Sequence, residues 1–347
     1  MLSAMRSKAM PGEAVMDPAD WKGSDLETDT RWLYRLKDED IKALLGMAAQ
    51  VRVKIGEDPN KLLEMGMTDF PLGSFQPTLY SIYSELKDGL GVALIRGLPA
   101  AELDFLDSAI IYWGIGHHLG RARSNNPEGD MLGHVTDLGK DQEDPETRGY
   151  QTRAAMDYHC DQSSIVGLFC VRTAREGGES KIASSIRVYN ELLKRNPEQV
   201  KLLSEPLCWT KHGEVNAGEE GFYRSPVFSF LENKLCVAFG PRHIIKGHAL
   251  PGVAPLTDGQ LAAIRHAEEI AEEIHYPMQL EPGDMQFLNN YVTLHTRTSY
   301  TDWPDPAEKR LLWRLWLTSP ELRASTDYVK QWDAGIVLHR TQEKIRL

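Results

Sequence analysis

The chain has 347 residues, with 39 Lys and Arg against 50 Asp and Glu, a formal net charge of −11 and four cysteines. That charge leaves no basic footprint for nucleic acid, and 41% hydrophobic with 26% charged residues is an ordinary globular composition, not a disordered one. No apolar run approaches the roughly 18 residues needed to cross a bilayer, and Cys160, Cys170, Cys208 and Cys236 make no CxxC pair, so a reducing, cytoplasmic setting is expected in place of a disulfide framework.

Leu33, Leu36, Ile41, Leu44, Leu45 and Met47 recur at helical spacing and predict a helix over 29–54. A second helix is expected near 79–86. GVALIRG at 91–97 reads as a buried strand ending in Gly and Pro, and a long helix follows over about 101–118. Residues 124–153 are polar and rich in Gly, Pro and Asp, which predicts a long loop of the kind that closes over a site. After Tyr158 come short strand-like runs over 166–173, 181–184, 222–230, 234–239, 284–289 and 310–318. Helical patterns at 186–194 and 258–274 interrupt them. The expectation is a mainly β fold with flanking helices and a jelly-roll core. No linker of distinct composition divides the chain.

The chemistry starts at His159-Cys160-Asp161. On a strand, residues i and i+2 share a face, so an imidazole and a carboxylate would converge on one point. That is two-thirds of the facial triad of two histidines and one carboxylate, which leaves coordination positions open. Alone the pattern is weak: His212-x-Glu214 and His266-x-Glu268 also occur, the latter on a helical pattern where i and i+2 diverge. His295 supplies a third candidate at the end of the run Asp284–His295, which a Pro282-Gly283 turn opens. In Arg310-Leu-Leu-Trp-Arg314-Leu-Trp-Leu, a strand would put Arg310, Leu312, Arg314 and Trp316 on one face. Two arginines on so apolar a strand need partners. Internal salt bridges would satisfy them, and so would a carboxylate ligand bound in bidentate fashion. Ser180, after Gly177-Gly178, adds a hydroxyl just before a strand.

With these four motifs in this order, the chain resembles the taurine dioxygenase / 2,4-dichlorophenoxyacetate dioxygenase (TauD/TfdA) family of Fe(II)/2-oxoglutarate-dependent oxygenases. The similarity runs from GVALIRGLP through YHCDQSSIVGLFC, GGESKIASS and GDMQFLNNYVTLHTRTSY to RLLWRLWL, roughly two-thirds of the chain. The resemblance implies a double-stranded β-helix and a dioxygenase that oxidises, most often hydroxylates, a C–H bond of a small organic substrate. Iron(II), 2-oxoglutarate and O2 would be consumed or used, with release of succinate and CO2. It implies His159, Asp161 and His295 as iron ligands, Ser180 in place of the family's usual Thr and Arg310 as contacts of 2-oxoglutarate, and Arg314 as a second arginine toward an anionic substrate group. Which arginine holds the cosubstrate stays open at this point. Tyr158 is a candidate for the substrate pocket, with Phe222, Tyr223 and Trp316.

The expected division is 1–90 as a helical N-terminal part packed on the core, 91–320 as the catalytic domain with its lid-like loop at 124–153, and 321–347 as a C-terminal extension. A homo-oligomer is admitted, since soluble enzymes of this size are commonly so; no nucleic-acid or membrane partner is expected. Two other readings share the ligand set. A zinc-dependent hydrolase or isomerase would use the same three residues but gives no reason for the arginine pair and the GGxS hydroxyl. A non-catalytic jelly-roll binding protein gives no reason for an intact ligand set.

Overall fold

The computed structural model describes residues 6–141, 147–330, 336 and 342–347. Its strands in the first half are β1 (Leu33–Arg35), β2 (Val92–Arg96), β3 (Arg121–Arg123), β4 (Gly133–Val135), β5 (Ile165–Arg172), β6 (Glu176–Gly177) and β7 (Ser180–Ser184). Then come β8 (Leu207–Thr210), β9 (Phe222–Ser225), β10 (Phe228–Leu231), β11 (Lys234–Val237), β12 (Tyr276–Met278), β13 (Met285–Asn289), β14 (Thr293–Arg297), β15 (Tyr300–Thr301) and β16 (Leu311–Thr318). A large sheet runs in the order β1-β2-β13-β5-β16-β3, with β4 also on β16, and a smaller one runs β12-β7-β14. These sheets form the double-stranded β-helix (jelly-roll) core, around which helical residues outnumber strand residues among those described.

One of the chain's crossings between the two sheets is a tight turn. β13 lies in the large sheet beside β5, and after residues 290–292 β14 pairs with β7 in the small one. The expected single run 284–295 is therefore two strands, and His295 sits in the middle of the second. The expected strand over 222–230 is also broken, at Pro226, which has no N–H to give a ladder.

The helices pack outside. They are α1 (Gly23–Thr28), α2 (Asp38–Ile55), α3 (Gln76–Asp88), α4 (Phe105–Leu119), α5 (Ser185–Arg195), α6 (Pro197–Ser204), α7 (Pro241–His248), α8 (Asp258–Ile274) and α9 (Asp327–Lys330). α4 is apolar nearly all round and buried, capped by the Asp104 carboxylate on the Asp107 N–H. A Cβ on its Gly116 would lie 2.4 Å from Leu315 of β16, so glycine lets the helix seat directly on the sheet. The predicted helix 29–54 begins only at Asp38. Three acids in its first turn favour an N-terminus there, and Leu33–Arg35 upstream forms β1, parallel to β2. The predicted loop 124–153 holds β4 and a turn of 3-10 helix at Gly149–Gln151; its residues 142–146 lie outside the described set. One cluster of buried apolar side chains extends from Ala9 to Ile345. All four cysteines are free and buried, and no described helix is long and apolar enough to cross a membrane.

Candidate active site

Local pairing brings three candidate ligands together. His159 and His295 exchange backbone hydrogen bonds of 3.0 and 2.8 Å as an isolated antiparallel bridge, and their rings lie 4.3 Å apart. Asp161 follows two residues later and is fixed by Asn290 of the 290–292 turn, whose Oδ1 accepts the Asp161 N–H at 3.0 Å. Asn290 also donates to the Ser163 carbonyl at 3.0 Å and to its hydroxyl at 3.1 Å. One ligand atom from each of His159, Asp161 and His295 falls within 4.8 Å of the others, the one such group among the described residues.

Their protonation suits a cation. His159 Nδ1 lies 2.8 Å from the Asp157 carbonyl. A carbonyl only accepts, so Nδ1 carries a proton, and the tautomer this selects for the neutral ring has its lone pair on Nε2. Burial pushes the Asp161 carboxyl up, but Arg314 and the two imidazoles outweigh it and hold it down at about 2. Burial, with His159 alongside, lowers His295 to about 3. Both groups are thus in their ligating forms at neutral pH. Arg314 Nη1 donates to Asp161 Oδ1 at 3.3 Å, while Oδ2, 3.9 Å from His295 Nε2, is buried without a hydrogen-bond partner. A buried carboxylate oxygen beside two imidazoles, with no hydrogen-bond partner among the described residues, is matched by a divalent cation. Two nitrogens and one oxygen on one side fit iron(II) with the opposite positions open.

Two cavities meet at the triad, and His159, Arg314, Tyr150 and Met156 line both. The first contains Ser180, Arg297, Arg310 and Leu312. Gly177 and Gly178, with φ of 73° and 75°, line a neighbouring cavity that shares Arg310 and Leu312; a Cβ on Gly178 would lie 3.1 Å from Arg310 Nε. Arg310 is 4% exposed, keeps Nη1 without a partner, and lies over the Tyr300 ring. Burial lowers its pKa, with Tyr300 giving only partial compensation. The second cavity contains Gln162, His212, His243, Trp316, Tyr328 and the basic side chains Arg148, Arg242 and Lys246.

Comparison with known proteins accounts for this arrangement. The profile of the "Taurine catabolism dioxygenase TauD, TfdA family" matches residues 59–316. The chain belongs to this family. It is 32% identical over 306 residues to FR-33289 synthase of Streptomyces rubellomurinus, covering 86% of this chain and 88% of that one. It is 25% identical over 335 residues to taurine hydroxylase-like protein SAT17 of Stachybotrys chartarum, covering 91% and 85%. Among solved structures, asparagine oxygenase with Fe(II), 2S,3S-3-hydroxyasparagine and succinate superposes with TM-score 0.65 at 17% identity, over 83% of this chain and 93% of that one. The non-heme iron oxygenase OrfP with Fe and alpha-ketoglutaric acid gives 0.60 at 14% identity, over 88% and 100%. The protein is an Fe(II)- and 2-oxoglutarate-dependent dioxygenase.

In this dioxygenase most residues singled out by sequence converge, but Tyr158 does not. It flanks His159 in the chain, so alternation turns it the other way, and its hydroxyl donates to Glu272 of α8 at 2.7 Å. Tyr150, from the predicted lid-like loop, stands at the cavity instead, 4.7 Å under the Arg314 guanidinium. Of the other aromatic candidates Trp316 lines the cavity, while Tyr223 stacks on Trp209. The two competing motifs separate as well. His266 contacts Gln199 on the surface of α8, whereas Glu214 pairs with Arg148 beside His212 at the second cavity.

Several residues escaped the sequence reading. Gln162 has both amide atoms buried without partners, and His243 has an unpartnered Nδ1. Nothing in their local pattern marks them. Arg297 did carry a signal: it stands at i+2 from His295 on a strand, and therefore on the same face.

Proposed function

We propose that His159, Asp161 and His295 hold the iron and that Ser180 and Arg310 hold 2-oxoglutarate, with the substrate in the cavity beneath Tyr150. The observation that carries this reading is the buried triad with an orphaned carboxylate oxygen, opening into a cavity where a buried guanidinium has an unused donor. Arg310 is favoured over Arg314 for the far carboxylate of the cosubstrate. Arg314 spends Nε on Asn125 at 2.9 Å and Nη1 on Asp161, leaving Nη2 as its one nitrogen without a partner. Arg314 lines both cavities, where an anionic substrate group would meet that nitrogen.

When bound, iron with 2-oxoglutarate and O2 supplies oxidising power for a C–H bond, leaving succinate and CO2. The protein's part is to place and protect. The Arg314 charge keeps Asp161 ionised against its burial, and burial keeps His295 neutral. Tyr150, Trp316 and Tyr328 exclude water around the substrate. The substrate is a small, polar and anionic molecule: Arg148, Arg242, Lys246 and Arg314 line its cavity, and against them stand Glu214 on Arg148, Asp157 on Arg242 and Asp161 on Arg314, the last committed to metal, which leaves one cation in excess. The named complexes of the structural neighbours, with hydroxyasparagine and with hydroxy-L-Arg, are of that size. We assign the catalytic unit to residues 91–320, with 321–347 as an extension; Arg346 pairs with Asp130 at 3.0 Å.

An anaerobic titration tests the core of this reading. Fe(II) then 2-oxoglutarate is added to metal-free protein while the visible iron-to-ketoacid charge-transfer band is followed. The wild type should develop the band, and Arg310→Ala should need far more 2-oxoglutarate to reach it. A band unaltered in Arg310→Ala refutes the cosubstrate assignment, and no band in the wild type refutes the metal assignment.

A further inference from the structure

We infer that Arg297 is a second guanidinium for the far carboxylate of 2-oxoglutarate, and that through it cosubstrate binding fastens the segment 147–156 over the active site. The inference rests on the reading of the Ser180–Arg310 cavity as the cosubstrate site.

Arg297 ends β14, pairs in register with Ser180 of β7, and lines that cavity with Arg310. It is 5% exposed, yet its Nε and Nη1 have no hydrogen-bond partner. Arg310 Nη1 is in the same condition. The two guanidiniums lie 4.6 and 5.2 Å from the centroid of the same Tyr300 ring, and no acidic side chain lines this cavity. Asp137 acts on Arg297 and Asp302 on Arg310 without forming an ion pair among the described residues, and two desolvated cations left so are costly. An anion bearing a carboxylate, presented between them, meets the unused donors of both.

The third nitrogen of Arg297 faces elsewhere. Nη2 donates to the carbonyls of Thr152 at 3.1 Å and Ala154 at 2.7 Å. The same segment is held by the Met156 N–H on the Arg297 carbonyl at 3.1 Å, by the Thr296 hydroxyl on the Met156 carbonyl, and by the Tyr300 N–H on the Arg153 carbonyl at 3.1 Å. Its other side carries Tyr150, which covers Arg314 and lines both cavities. A guanidinium is planar and rigid. A carboxylate held by either free donor, Nε or Nη1, therefore also restrains the direction of Nη2, and with it the two carbonyls of the roof. Cosubstrate bound first would thus complete the wall against which substrate packs.

The test uses Fe(II)-loaded protein without oxygen and two ligands, 2-oxoglutarate and 2-oxobutanoate, which keeps the keto acid but lacks the far carboxylate. Arg297→Gln should weaken 2-oxoglutarate by about tenfold or more, the size of a lost hydrogen bond to a charged group, and leave 2-oxobutanoate unchanged. Limited trypsin digestion reads the roof. In the wild type 2-oxoglutarate, and not 2-oxobutanoate, should protect the Arg153–Ala154 bond; in Arg297→Gln saturating 2-oxoglutarate should not. Arg297→Lys keeps a charge without the fork, so it should retain part of the affinity and lose the protection. Equal weakening of both ligands would mean a structural role and overturn the inference. So would wild-type affinity in Arg297→Gln while Arg310→Gln loses binding, an outcome that leaves the cosubstrate site standing. Wild-type affinity in both variants would overturn the site assignment itself.

Discussion

Asn290→Ala is the sharpest probe of how the metal site is held. The side chain is 1% exposed and serves three partners: it accepts the Asp161 N–H and donates to the Ser163 carbonyl and hydroxyl. The Ser163 hydroxyl has a second partner, donating to the Ile165 carbonyl at 2.9 Å. Truncation therefore strands two buried backbone groups, each at about 1–3 kcal/mol, for a loss of about 2–6 kcal/mol. A chain of 347 residues has an unfolding entropy near its midpoint of about 0.7 kcal/mol per degree, so the metal-free protein should melt about 3–8 °C lower. The Asp161 N–H belongs to the same residue as the carboxylate proposed to ligate iron. Loss of such an outer contact typically weakens metal binding about 10–100-fold. Thermal melting of the apoprotein gives the first quantity, and an anaerobic Fe(II) titration gives the second. A variant that melts lower but binds Fe(II) like the wild type refutes the positioning role. One that matches the wild type in both refutes the whole hydrogen-bond account.

Three further outcomes follow from single side chains. Ser180→Ala should raise the dissociation constant of 2-oxoglutarate about tenfold or more while Ser180→Thr holds it near the wild-type value, because only the hydroxyl is at issue; equal affinity in the alanine variant removes Ser180 from the site. Arg314→Leu should shift the pH profile of Fe(II) binding upward. Burial raises the Asp161 carboxyl and Arg314 is the largest force opposing it, so without that cation protons compete with iron at higher pH; an unshifted profile refutes this. Glu268 of α8 is raised to about 7, chiefly by burial and then by Asp157. A group whose folded pKa lies above its unfolded one stabilises below the unfolded value and loses that contribution as pH rises through the folded one. The wild type should lose melting temperature relative to Glu268→Gln between about pH 4.5 and above 7, and parallel curves for the two proteins would exclude the effect.

The parts of the site that were legible in the sequence are those that strand alternation alone encodes. Arg310 and Arg314, four apart, both reach the cavities, as two residues on one face of a strand must, even though β16 starts only at Leu311 and shifts register beside it. The same rule applied one residue earlier would have turned Tyr158 away from His159, and applied two residues later would have put Arg297 beside His295. Those were readable and went unread. Asn290 is different in kind. Its partner Asp161 lies 129 residues away, and the contact exists only because the 290–292 turn carries the chain from the large sheet to the small one. β1 likewise looks helical in isolation, since Leu33 and Leu36 fit the spacing of the helix that follows; only the free edge of β2 makes it a strand.

That turn also sets how strongly the two halves of the chemistry depend on each other. His295 and Arg297 stand on β14 of the small sheet, while Arg310 and Arg314 flank or occupy β16 of the large one. The triad is closed across this gap by the His159–His295 bridge and by the Arg314–Asp161 ion pair. The Ser180–Arg310 cavity therefore has one wall on each sheet, with Ser180, His295 and Arg297 on the small one and Leu168, Leu312 and Arg314 on the large one, so a change in how the sheets meet moves the proposed metal ligands and cosubstrate cations together. A substitution in the 290–292 turn should accordingly affect iron and 2-oxoglutarate binding in parallel, whereas Ser180 or Arg310 variants should alter the cosubstrate and spare the metal.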